Sequence, residues 1–163
     1  MKIKKILVPV DFSKHSLKAL DYAVEFAKAF KAELHVLFVI EPVSYATPAD
    51  FYAGMATQLS SLITEQRRSA SRQLSQLQAR LAKKRIAVKT VLRSGIAYQE
   101  IVDGAKKLKA DMIIHATHGR TGLSHLVMGS VAERVVRTAA CPVLTVRADV
   151  TKKAAAKPRK RKR

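Results

Sequence analysis

Acidic side chains are scarce in this chain: 12 Asp and Glu stand against 31 Lys and Arg, a formal charge of +19 over 163 residues. Cysteine is scarcer still. Cys141 is the only one, so no intramolecular disulfide can form, and a reducing cytoplasm is the natural assignment. A single thiol next to Pro142 reads as a small core residue rather than a nucleophile. No run of 18 apolar residues occurs, which argues against a membrane-spanning helix. The start, MKIKKILVPVDF, is charged, but its apolar run is too short for a signal peptide and is broken by Pro9 and Asp11. Neither G-x4-G-K-[ST] nor G-x-G-x-x-G is present, so the Walker and dinucleotide phosphate loops are both missing. The histidines His115, His118 and His125 lie in no H-E-x-x-H or Cys/His frame, and no metal site is expected from them.

What is present is a regular alternation of apolar runs and amphipathic stretches. Residues 3–10, IKKILVPV, read as a buried strand, and Asp11-Phe12-Ser13 supplies turn and helix-cap chemistry. Leu17, Leu20, Val24 and Ala27 then form one face of a helix over 14–31. Residues 33–40, ELHVLFVI, are nearly continuously apolar, as in a parallel strand covered on both sides. Pro42, Pro48 and Gly54 mark 41–54 as a surface loop, long enough to suggest a functional role. A helical stripe runs over about 55–84, and a third strand over 86–92 follows. Ser94-Gly95 then turns the chain into a helix bearing Ile101, Val102, Ala105 and Leu108. Asp111 opens the strand MIIHAT, Gly129-Ser130 starts a short helix, and Pro142 leads the last strand, VLTVR.

The order β-α-β-α-β-α-β-α-β predicts one α/β domain over 1–147, large enough to bury roughly two thirds of its unfolded surface. The expected architecture is a single doubly wound five-stranded parallel sheet, strand order 3-2-1-4-5, with helices on both faces. Ligands of such sheets bind beyond the carboxyl ends of the strands. Residues 148–163 have one large apolar side chain, Val150, and are expected to be a disordered basic tail. Residues 151–163 carry eight basic side chains and no acid, which leaves the rest at 23 against 12, or +11.

The chemistry concentrates between Ala116 and Val131. This stretch runs strand, loop, helix, and Gly119 permits close backbone approach. Gly129 and Ser130 offer unpaired N–H groups and a hydroxyl at a helix start, with Arg120 adding charge. Those are the parts of an anion site. Singly, each residue also has a plain structural reading: Asp11 and Ser130 as helix caps, Gly119 and Gly122 as loop glycines. Their joint placement at the ends of strands one and four favours a site.

That stretch, the ending Cys141-Pro-Val-Leu-Thr-Val-Arg147, the start ILVPVDFSKHSLKALDYAVEFA and the segment LFVIEP together resemble the universal stress protein family, over Ile6 to about Arg147. The nucleotide-binding branch of that family carries G-x2-G-x9-G-[ST]. Here the last three elements fall on Gly119, Gly129 and Ser130, while the first glycine is Ala116. A methyl group is tolerable there where φ is negative. The resemblance implies an ATP site: Pro9, Val10, Asp11 and Val39 flank the adenosine, and Gly119, Arg120, Gly129, Ser130 and Val131 hold the phosphates. Ala116 and His118 belong to the same ligand set. Magnesium would accompany the triphosphate, held by its oxygens, by water and by Asp11.

No pattern selects a catalytic base among Asp11, His118 and Glu133, so a nucleotide-responsive binding module is expected rather than a fast enzyme. The resemblance leaves room for slow hydrolysis or autophosphorylation. It also implies a homodimer, formed by pairing the last strand across a two-fold axis. The tail, with Lys157, Arg159, Lys160, Arg161, Lys162 and Arg163, is what the resemblance does not explain. Its charge density suits a polyanion such as nucleic acid, bound through counterion release. The rival reading is therefore a nucleic-acid-associated dimeric scaffold with a vestigial pocket; a small transferase or hydrolase on the same fold rests on analogy alone.

Overall fold

The computed structural model describes residues 2–41, 49–119 and 128–147, with 49–59 as helix backbone only. The elements follow the order β1 (Lys5–Pro9), α1 (Lys14–Phe30), β2 (Glu33–Ile40), α2 (Ala49–Ala82), β3 (Val88–Ser94), α3 (Ala97–Leu108), β4 (Met112–Ala116), α4 (Ser130–Thr138) and β5 (Val143–Val146). They form a five-stranded sheet in the order β3-β2-β1-β4-β5, and every pairing is parallel. The expected fold class and strand order are thus observed.

Strand alternation divides the interior into two layers. Ile6, Val8, Leu34, Val36, Phe38 and Ile114 point to one face, where they meet Leu20 and Val24 of α1 and Leu74, Leu77 and Leu81 of α2. Leu7, Leu37 and Ile113 point to the other, against Ile101 and Ala105 of α3 and Val135 of α4. Covering both faces is what makes the central strands read as unbroken apolar runs.

Local chemistry sets the element ends. Ser13 caps α1, its side chain accepting from Ser16 N–H at 3.2 Å. The αL residues Lys31 and Lys109 close α1 and α3, each backbone N–H turning back to two carbonyls of the last turn. Asp111 joins the foot of β4 to that of β1: one carboxylate oxygen accepts from Lys4 N–H at 2.8 Å and Lys5 N–H at 2.9 Å, while its own N–H donates to Lys5 O at 2.9 Å.

Two boundaries differ from the sequence reading. α2 begins at Ala49, so Gly54 lies inside a helix and the expected loop 41–54 shortens. One glycine costs a helix interior about 1 kcal/mol, too little to stop a helix of 34 residues. β3 runs over Val88–Ser94 rather than 86–92, because an edge strand takes its register from its one neighbour. Leu34 of β2 faces Val88, and Ile40 at the end of β2 faces Ser94. Gly95, at φ 153°, then turns the chain away, its N–H donating to Ile40 O at 3.0 Å. The rest of the loop (42–48), Arg120, Gly122, His125 and the tail 148–163 lie outside the described residues.

The two amide hydrogen bonds hold the Asp111 carboxyl below its ordinary pKa. A depressed carboxylate contributes stability that is present above the unfolded value, about pH 4, and is lost as pH falls through the folded value. Asp111→Ala is expected to cost about 1 kcal/mol near neutral pH. In urea unfolding series, the gap between wild type and variant should narrow below pH 4; a gap independent of pH would contradict this account.

Candidate functional site

The site follows from the crossovers. From β1 the chain passes over one face to β2, and β4 lies on the other side of β1, so the loops leaving β1 and β4 part above the sheet. A cavity of about 570 Å³ opens there, within the range usual for small-molecule sites. Of the residues expected to bind nucleotide, Pro9, Val10, Asp11, Val39, Ala116, His118, Gly119, Gly129, Ser130 and Val131 all line it. The structure therefore brings together side chains and backbone from β1, β2, β4 and α4.

Each wall has a local cause. After β1, Val10 N–H donates to Leu37 O at 2.8 Å, and Phe12 takes a left-handed φ of 61° while its ring lies 5.2 Å from that of Phe38. A non-glycine residue in that region carries strain that the ring packing offsets. The turn aims Asp11 across the opening. Its Oδ1 accepts from Ser13 N–H at 3.0 Å, and its N–H donates to Ser16 Oγ at 3.2 Å. Asp11 therefore performs the helix-entry role and lines the cavity at once.

Gly119 has a more specific reason than phosphate approach. A Cβ built on it would lie 2.9 Å from Asp11 Oδ2, so any side chain would push the carboxylate aside. Gly129 answers to close packing as well: its φ is an ordinary −73°, but an added Cβ would come 3.3 Å from Thr117 O. That carbonyl accepts from Gly129 N–H at 2.7 Å, and Thr117 N–H donates to Val146 O at 3.0 Å. The ends of β4 and β5 and the start of α4 are thereby tied together. Ala116 has no positive φ, and its methyl is buried in the α1/α2 layer.

Three helix starts lie near this end of the sheet, and they differ in what satisfies them. Ser13 caps α1. At α3, where no side chain of the N-cap residue helps, the Glu41 carboxylate accepts from Ala97 N–H at 3.0 Å. At α4 Gly129 is the N-cap, and among the described residues no side chain caps the helix. Its first-turn amides, at Ser130, Val131 and Ala132, have no acceptor within the helix by geometry, and these residues line the cavity. The α4 start is where an anion gains most. Beside it, the His118 ring lies 5.9 Å from that of His15, and His118 Nδ1 is 2.9 Å from Thr117 Oγ1.

A further stretch of the lining, Leu37, Val39 and Ile101, is apolar. Sequence reasoning missed Ile101, which reads as a core position, and His115, considered only as a metal ligand. Strand alternation was the available signal: His115 shares the parity of Ile113, which faces α3 and α4. His115 keeps some exposed surface, yet burial pushes its pKa below the ordinary histidine value, outweighing the Ala116 carbonyl and the Asp11 charge. The two go together in a side chain lining a cleft. Cys141 packs in the α3/α4 layer, where burial raises its thiol pKa; it is a packing residue and not an activated thiolate.

Comparison with known proteins places the chain in a family. The profile of the Universal stress protein family matches residues 2–147. Universal stress protein MJ0531 of Methanocaldococcus jannaschii is 37% identical over 145 residues, 88% of this chain and 82% of that protein. The solved universal stress protein UspA from Lactobacillus plantarum superposes with a TM-score of 0.79 at 30% identity, covering 90% of this chain and 99% of that one. The universal stress protein from Archaeoglobus fulgidus in complex with dAMP shares the fold at 22% identity, with a TM-score of 0.55 over 89% of this chain and 98% of that one. By the profile match and by these relatives, the chain belongs to the universal stress protein family.

Proposed function

We propose that the chain is an ATP-binding module that acts in stress response or signalling through the nucleotide it holds. The observation that carries this reading is the start of α4, which opens on the cavity with no side-chain cap among the described residues, while Ser13 and Glu41 satisfy α1 and α3. Phosphate oxygens at Ser130, Val131 and Ala132 would accept from first-turn amides and gain the helix dipole. The apolar wall of Leu37, Val39 and Ile101 suits a base, and the Asp11 carboxylate faces the region between. A protein of this fold in complex with dAMP supports an adenine nucleotide as the chemical class. Magnesium arrives with the triphosphate, held by phosphate oxygens and water, with Asp11 the carboxylate at that end. Cytoplasmic residence fits the single reduced thiol.

Binding rather than fast turnover is what the side chains favour. Of the three candidate bases, Asp11 is engaged with Ser13 and His118 with Thr117. Glu133 is exposed on α4 and faces Arg137 at 3.7 Å. Each of the three is already tied to a neighbour, and no feature singles out one of them as a base. Protein purified natively and then denatured should release close to one adenine nucleotide per chain. Gly129→Val, which drives a side chain toward Thr117 O, should release at least tenfold less while keeping a cooperative melt. Wild type that is empty and unmoved by added ATP and magnesium would overturn the reading.

Partners follow from the edge and the tail. Among the described residues β5 pairs with β4 on one side only, and that edge suits pairing with a second copy about a two-fold axis. The basic tail, from Lys157 to Arg163, suits nucleic-acid phosphates. One sample tests both: sedimentation equilibrium should give twice the chain mass. Deleting 157–163 should make log K for single-stranded nucleic acid less steep in log salt by about 4, from six cations at about 0.7 each. Monomer mass alone contradicts the pairing, and an unchanged slope contradicts the tail as the contact.

A further inference from the structure

Beside the apolar Leu37, Val39 and Ile101, the cavity is lined by His115, whose chemistry can be worked out atom by atom. Its Nδ1 lies against the carbonyl oxygen of Ala116. A carbonyl only accepts, so Nδ1 carries the proton and donates. With burial holding the ring in its neutral form, the other nitrogen, Nε2, bears a lone pair and no hydrogen. Among the described residues Nε2 has no hydrogen-bond partner, although no fully buried side-chain nitrogen or oxygen is left unsatisfied. Nε2 therefore opens on accessible space, and the cavity is the space that His115 lines.

We infer that His115 reads the base: its Nε2 is a hydrogen-bond acceptor in the cavity and selects the exocyclic amine of adenine against a keto group at the same position. The inference rests on the nucleotide reading above and adds to it the feature that discriminates between bases. With phosphates at the start of α4, the nucleoside extends toward Leu37, Val39 and Ile101, the wall in which His115 stands. Adenine presents an NH2 donor at position 6, whereas hypoxanthine presents an oxygen acceptor there. Acceptor against acceptor leaves both lone pairs desolvated and unpaired, and sites built on a buried polar partner reject the mismatched analogue strongly. The apolar neighbours offer no side-chain polar group to compensate.

ATP and ITP separate the possibilities because they differ only at that edge of the base. Direct titration of the full chain should show ATP bound about tenfold or more tightly than ITP. His115→Leu, which keeps bulk and removes the acceptor, should bring the two within about twofold, mostly by weakening ATP. His115→Gln, which restores an acceptor oxygen, should recover part of the preference and guards against a packing effect of the leucine. Thermal melts of all three proteins confirm that they are folded. A preference for ATP that persists unchanged in His115→Leu, or a wild type that prefers ITP, overturns the inference while leaving nucleotide binding intact. Failure of wild type to bind either nucleotide overturns the inference and the reading beneath it together.

Discussion

The parallel pairing of β1 with both β2 and β4 is the constraint from which the rest of the structure follows. Five residues, Lys5–Pro9, register against Glu33–Leu37 on one side and, through Ile6 and Leu7, against Met112 and Ile113 on the other. A central parallel strand has both faces covered, which is why Ile6 and Val8 are wholly buried under α1 and α2 while Leu7 packs under α3 and α4. Because the chain leaves β1 toward one neighbour and reaches the other only after two further strands, its connections diverge above the carboxyl end. The cavity is the space left by that divergence, and it exists before any residue is chosen to line it.

What the lining residues add is the distribution of charge and donors within that space. Helix starts are electropositive, and three of them lie close to one another. Two are satisfied internally, by a serine hydroxyl and by the Glu41 carboxylate; the third begins at a glycine held within 2.7 Å of the Thr117 carbonyl. The packing that crowds any side chain at Gly129 goes with first-turn amides at Ser130, Val131 and Ala132 that have no side-chain cap among the described residues. Asp11 and Gly119 form a second close contact of the same kind. Both packing contacts lie on the lining of the cavity.

Much of this was legible in the sequence where a single local signal decided the outcome. β2 runs over Glu33–Ile40 as read, since its apolar run is bounded on both sides, and Ser13 caps α1 as its position before an apolar periodicity suggests. The spacing of Gly119, Gly129 and Ser130 pointed to a candidate site, and the structure gathers those residues around one cavity. What was not legible depends on partners distant in sequence. The register of β3 comes from β2, the reason for Gly119 comes from Asp11, and Glu41 meets Ala97 across 56 residues. His115 was passed over because periodicity assigns it a face of the sheet but not the height at which that face opens into a cavity.

The central claim is that an adenine nucleotide sits with its phosphates on the first turn of α4. Backbone amide chemical shifts of isotopically labelled protein, followed by NMR while ATP and magnesium are added, test it residue by residue. The account predicts the largest changes at Ser130, Val131, Ala132 and Gly119, with smaller ones at Val39 and Ile101. Changes confined to surfaces away from the carboxyl ends of β1 and β4, or none at saturating nucleotide, would contradict it.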